Sequence, residues 1–461
     1  MGYASAADWP TFGHDSARSS VDADGRGLSP KTVVHLRLRW RVILGDVADS
    51  APILVSHAGV KGRELSLLFI TARDGTTYAI DAGKGQIIWR FGTNGPGITT
   101  SVPVADPSGL WIYAPGVDGF VHKLETATGT EVRARGFPVQ ITRIPQTEKD
   151  ASSLNLANGY LYATTSGYFG DAPPYVGHLV AIRLSDGSSH VFNTLCSKLA
   201  ALPTQTSCNR SGSGIWARAG AVVDPDPSMN GRIYIATGNG NFDANHHGSD
   251  YGDSVVALSR DGTRLSGYYT PSNFYALDGG DVDLGSSAPV VLPREARSRT
   301  PLLAVQGGKD GLLRLLDRTH LGGVGGEIQR LDIGGGLYSA PAVWREGAGT
   351  TWIYLGLASG VRALRTTTDP NGKTRLVEVW SSNAGETPEG TSPVVSNGIV
   401  FIAMNRAIVA LDGRTGTRLW TSAQAAAGSS IGGTHWESPI VVNGWIYCSD
   451  EDGHLSAYAP P

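Results

Sequence analysis

A small residue followed closely by proline recurs along the chain, each time at the head of an apolar run. The copies read "DSAPILV" at 49, "TSVPVA" at 100, "GSSAPVVL" at 285, "YSAPAVW" at 338, "GTSPVVSNG" at 390 and "WESPIVVNG" at 436. Two less regular copies, "SSLNLANGYLYATT" from 152 and "WARAGAVVDP" from 216, fall between the second and third. Each copy continues into a second apolar run such as "LLFITA", "IYIATG" or "WIYCSD". A turn follows ("RDG" at 73, "KDG" at 309, "EDG" at 451), then an alternating run such as "TTYAID" or "HLSAYA". Several copies end on a glycine turn and a Trp-bearing run: "GKGQIIWRF", "TRLVEVW", "RTGTRLW". Short apolar or alternating runs bounded by Gly and Asp turns are antiparallel strands. Four strands in roughly fifty residues make the blade of a β-propeller, and no amphipathic helical spacing is sustained.

The expected architecture is therefore an all-β, eight-bladed propeller of four-stranded antiparallel blades. The last copy stops at "AYAPP" after three strands, and "HLRLRWRVIL" at 35–44 supplies its missing fourth. Closing the ring with both termini removes the exposed sheet edges. On this reading residues 1–461 form one domain, with residues 1–34 as an N-terminal extension. Most connections are short, but four are long: about 166–178, 193–214, 239–253 and 271–287. All four fall on the face where second-to-third-strand loops and blade crossovers open. Long connections gathered on one face of a compact domain point to a site over the propeller axis.

The totals narrow the partners. The net charge of -3, without a run of like charges, argues against nucleic acid as a partner. No stretch approaches the length of apolar sequence that spans a bilayer. "ASAADWP" reads as a mature N-terminus behind an added Met, so a secreted or periplasmic location is expected. Of the three cysteines, Cys196 and Cys208 bracket a polar loop and are expected to form a disulfide, with two free thiols as the alternative; Cys448, in "GWIYCSD", is expected in the core. No CxxCH motif for covalent haem is present.

The repeats, the Trp-closing strands and the segments "DWPTFGHDSARSS" and "THWESPIVVNGWIY" resemble the pyrroloquinoline quinone (PQQ) repeat propellers, among them quinoprotein alcohol dehydrogenases and polyvinyl-alcohol dehydrogenases without a haem domain. The resemblance implies PQQ and Ca²⁺ as cofactors, and it can be carried over residue by residue. The family's "TGN", whose Asn binds Ca²⁺, is matched by "IATGNGN" with Asn239. Its catalytic base and Ca²⁺ neighbour, an Asp nine residues before a Leu, is matched by Asp283 ahead of Leu292. Its basic contact to the quinone oxygens is matched by Lys309 in "GGKDGLLRLLDR", and the Trp beneath the quinone by Trp216, a few residues out of step. The "GDN" step is matched by "YGDS" with Asp253. The family's third Ca²⁺ ligand, a Glu, has no counterpart, and Asp171 is the one carboxylate in that loop; its two adjacent cysteines are absent.

Ca²⁺ takes six to eight oxygen ligands, which Asn239, Asp283 and a third group can share with a quinone. Asp283 would remove the alcohol's proton while the quinone takes the hydride. The alternative for Asn239 and Asp283 is an ordinary pair of Asx turns, for Lys309 a turn residue, and for Trp216 packing between blades. His435, Trp436 and Tyr338 precede inner strands and are expected to line a substrate pocket. Trp89, Trp380 and Trp420 are expected to cement blades, and His246 and His247 to be solvated. The expected function is oxidation of an alcohol or carbohydrate with an external electron acceptor. A cofactor-free binding or assembly scaffold, or a lyase or isomerase using the same funnel, is the alternative.

Overall fold

Six of the blades begin where a small-residue–Pro step leads into an inner strand, and eight antiparallel sheets follow one another in chain order around a closed ring. The computed structural model describes residues 8–22, 25–347, 349–382 and 390–461. Blades one to seven lie within 53–91, 104–140, 148–193, 222–270, 290–332, 342–382 and 394–421. Blade eight combines Ile440–Val442, Trp445–Ser449 and His454–Ala459 with an outer strand, Arg37–Ile43, from near the N-terminus. The sequence expectation for both the fold and its closing strand is met.

The repeat chemistry explains why blades stack. At the turn before the outer strand, an Asp caps its own loop: Asp81 Oδ1 accepts from Gly83 N (2.9 Å) and Asp412 Oδ1 from Arg414 N (2.9 Å). A glycine with positive φ closes each turn (Gly85, Gly129, Gly416). The Trp of the preceding blade lies on that glycine. A Cβ on Gly129 would sit 2.6 Å from the Trp89 ring, and one on Gly416 2.6 Å from Trp380. The indole then donates to the same turn, Trp89 Nε1 to Thr126 O (2.9 Å) and Trp380 Nε1 to Gly413 O (3.0 Å). Opposite each of these Trp residues the third strand carries Ala, and the register slips by one at that point: Ala79↔Trp89, Ala363↔Trp380, Ala410↔Trp420, Ala457↔Trp40. The bulge twists the outer strand, and the small Ala leaves the indole room to reach the neighbouring blade.

The N-terminal extension has a role the sequence did not announce. Residues 9–22 wind around the inside of the ring, visiting inner strands in order. Trp9 exchanges backbone bonds with Leu54, Pro10 O accepts from Ala105 N, Ser16 O from Val223 N, Ser19 O from Val343 N and Ser20 O from Val395 N. Val21–Asp22 then pairs parallel to Val394–Ser396. This strap lies on the side of the inner strands away from the four long connections. Arg18 projects from it and is 1% exposed, donating to Ala219 O (3.0 Å), Ser153 O (3.0 Å), Leu154 O (3.0 Å) and Phe12 O (2.7 Å). The axis is thereby filled on one side and left to the loops on the other.

Candidate functional site

The four long connections meet on one face. The one that leaves blade three, 193–214, is closed on itself by a Cys196–Cys208 disulfide, with Cα atoms 6.0 Å apart, and Cys448 is buried and free. The polar loop "GNGNFDANHHGSDYGDS" is tied to this staple through Asp250. Its Oδ1 accepts from Cys196 N (2.7 Å), and its Oδ2 from Asn241 Nδ2 (2.7 Å) and the Arg210 guanidinium (2.6 Å). Every partner of Asp250 is a donor, so its carboxylate works as a loop anchor. His246 and His247 are exposed at a helical turn, as expected. The crossover to blade five contains a short helix, Phe274–Gly279, which sequence spacing did not reveal.

Beneath these loops the end of the second strand of blade four meets the segment leading into blade five. Asp283 Oδ1 accepts from Asn239 N (2.7 Å), and its Oδ2 forms a close ion pair with Lys309 Nζ. Lys309 N donates to Asp283 O (3.0 Å), so backbone and side chain hold the pair together. Lys309 Nζ also lies 3.2 Å from Asp281 Oδ1, which accepts from Asn239 Nδ2 (2.9 Å). Burial acts to lower the Lys309 ammonium, but Asp283 and Asp281 outweigh it and its pKa is raised. The glycine of "TGN" is required here, because a Cβ on Gly238 would lie 2.3 Å from Asp283 Oδ1 and 3.0 Å from Trp216 Nε1. Asn239 Oδ1 is buried without a hydrogen-bond partner. A buried carbonyl oxygen left over beside a carboxylate is a fitting ligand for a hard cation.

The other sequence candidates surround this pair. Lys309 Nζ is 5.5 Å from the Trp216 ring centre. Trp216, Tyr338 and Trp436 form an aromatic triangle with centroids 6.0–6.4 Å apart, and His435 packs on Trp436 at 5.2 Å. Arg218, buried, lies over the Trp436 ring at 4.6 Å. Asp171 is exposed, and its Oδ1 accepts from Tyr175 Oη (2.7 Å). Tyr175 also feels the charges of Asp283 and Asp281. Behind Asp283, the buried Asp253 accepts from Leu284 N (2.9 Å). Burial, with the charges of Asp283 and Asp278, raises its pKa to about 8 against the opposing Leu284 N–H and Lys309.

Sequence reasoning missed Asp49, Lys149, Arg218, Asp281 and Glu437. Four of the five stand within a few residues of an inner-strand start, so position in the repeat was the available signal; residue type was not, since it changes from blade to blade. Lys149 and Arg218 put two cations on the blade-three and blade-four side of the chamber. Burial, with the nearby Arg218 charge, lowers the Lys149 ammonium to about 8.

Comparison with known proteins agrees with this architecture. A family profile described as "Outer membrane protein assembly factor BamB", of the PQQ-repeat type, matches residues 368–460. Polyvinylalcohol dehydrogenase from Pseudomonas sp. is 22% identical over 247 residues, which is 50% of this chain and 36% of that protein. The chain thus spans little more than a third of the length of this curated relative. Among solved structures, a quinohemoprotein alcohol dehydrogenase from Pseudomonas putida HK5 superposes over 98% of this chain and 80% of its own, with TM-score 0.68 and 15% identity. A europium-containing methanol dehydrogenase covers 98% of both chains (TM-score 0.66, 14% identity), and BamB from Moraxella catarrhalis covers 92% and 97% (TM-score 0.54, 11% identity). In sequence and in fold, the chain resembles the PQQ-repeat β-propellers.

Proposed function

We propose that this chain is an exported oxidoreductase acting on an alcohol or sugar-like polyol, with PQQ and Ca²⁺ at the propeller axis and a separate electron acceptor. The observation that carries the reading is the unpaired, buried Asn239 Oδ1 beside the Asp283 carboxylate. Asn239 and Asp283 would hold the cation, with Asp171 as the third ligand. PQQ, when bound, supplies the acceptor for the hydride leaving the alcohol carbon. Lys309 lies where it contacts both Asp283 and the Trp216 face, which suits a cation directed at quinone oxygens. Tyr338, His435 and Trp436 border the space left for substrate.

Asp283 is the base: the Asn239 N–H and the Lys309 ammonium orient its side chain, and it takes the hydroxyl proton as the C–H bond breaks. Asp283→Asn keeps the shape and removes the base. After loading with PQQ and Ca²⁺, alcohol-dependent dye reduction is expected to fall about 10²–10⁴-fold in this variant. Wild-type activity in Asp283→Asn would contradict the assignment. The BamB-type match over residues 368–460 favours a second reading, a cofactor-free scaffold, which expects no dye reduction from the wild-type protein either.

A further inference from the structure

Across the axis from Asn239 and Asp283, blades eight and one bring a second group of ligand-type side chains to the same face. Asp49 stands just before blade one, His435 and Glu437 just before blade eight, and Glu451 in the turn between the second and third strands of blade eight. One ligand atom each from Asp49, His435 and Glu451 fall within 4.8 Å of one another. We propose that Asp49, His435 and Glu451, backed by Glu437, form a second divalent-cation site, distinct from the Asn239–Asp283 pair.

Two further observations point to a ligand there. Glu437 is 0% exposed; its Oε2 accepts from His435 N (2.7 Å) and Trp436 N (3.1 Å), while its Oε1 has no partner. It lies near enough to Asp49 and Glu451 to feel both charges. Glu451 Oε1 is likewise buried and unpaired. The second observation is charge. Asp49, Glu437 and Glu451 all act on one guanidinium, Arg218, whose Nη2 is 3.3 Å from Asp49 Oδ1. Lys149 feels the charges of Arg218 and Asp49. Acidic side chains outnumber the one buried guanidinium here, and a dication held by Asp49, His435 and Glu451 compensates them. The Asp450–Asp452–His454 group in the same blade is different: Asp450 already accepts from Gly432 N, Asp452 N and His454 N, so its oxygens are committed.

An imidazole nitrogen among carboxylates suits a transition-series dication such as Mn²⁺ or Zn²⁺ better than Ca²⁺, which takes oxygen. Mn²⁺ is the probe, added to EDTA-stripped full-length protein in excess Ca²⁺, with bound and free ion read by electron paramagnetic resonance. One Mn²⁺ per chain is expected, displaced by Zn²⁺. Asp283→Asn, which disables the first site, is expected to leave it in place. Glu451→Gln and His435→Ala are each expected to weaken Mn²⁺ at least about tenfold, as loss of a ligand does, with circular dichroism confirming the fold. No stoichiometric Mn²⁺ binding by about 100 µM free ion, a Kd too weak for a built site, overturns the proposal. So does binding unchanged in both ligand variants, or binding lost only in Asp283→Asn.

Discussion

Asp283 keeps both carboxylate oxygens in contact with donors, the Asn239 amide on one side and the Lys309 ammonium on the other. Asp150, only a blade away, has a different environment. It is buried, and burial pushes its carboxyl well above the usual range, against a weaker pull from the Ser101 hydroxyl. The difference has a measurable consequence. In the unfolded chain Asp150 ionises near its ordinary pKa of about 3.9, whereas the folded chain keeps its proton far above that. The folded state therefore binds more protons at this site, so the stability Asp150 contributes is fully present below about pH 4 and is lost as pH rises toward the folded pKa. Asp150→Asn cannot ionise, so its melting temperature, measured from about pH 4 to 8, is expected to lose that part of the decline. Parallel melting curves for variant and wild type would show that Asp150 is not the group responsible. Asp150 and Asp49 were not singled out from sequence because a buried and a solvated Asp read alike.

At the scale of the strand and the turn, one device recurs: a Trp on an outer strand, a bulge opposite an Ala, and a glycine turn on the next blade. Much of it was visible in advance, since "TGT" and "GKG" turns and the Trp-bearing strands repeat at the right spacing. The bulge was not visible, because a one-residue slip leaves no mark on composition. Gly129 isolates the energetics of the contact. It has φ +71, and a Cβ there would press to 2.6 Å on Trp89. Gly129→Ala is expected to destabilise the protein by about 1–3 kcal/mol, from overpacking and the positive φ together. Chemical denaturation would read this directly, and a midpoint equal to wild type would show that the turn yields at no cost. Trp420 departs from the pattern, since its Nε1 is buried without a partner while its ring packs edge-on against Tyr458.

For the whole molecule, the eight blades and their closure by residues 37–43 followed from the fifty-residue period, since a ring of open sheets must hide its edges. The strap formed by residues 9–22 did not follow from it. Its contacts are backbone bonds to five blades made by an irregular polar segment, and a buried Arg18 has no local signature. The two faces of the ring are consequently unequal: the strap lines one, and the inserted loops gather on the other. Candidates chosen by resemblance in blades four and five, Asn239, Asp283, Lys309 and Trp216, stand together on that face. The acidic group of blades eight and one faces them and was unforeseen, because its members come from three separate stretches of sequence. The central claim is that this site takes a quinone through a cation at Asn239 and Asp283. Its most direct test is titration of EDTA-stripped protein with PQQ, with and without Ca²⁺, following Trp fluorescence. The expected result is saturable one-to-one quenching that requires Ca²⁺ and is lost in Asp283→Ala; no binding, or binding indifferent to both Ca²⁺ and Asp283, would contradict it.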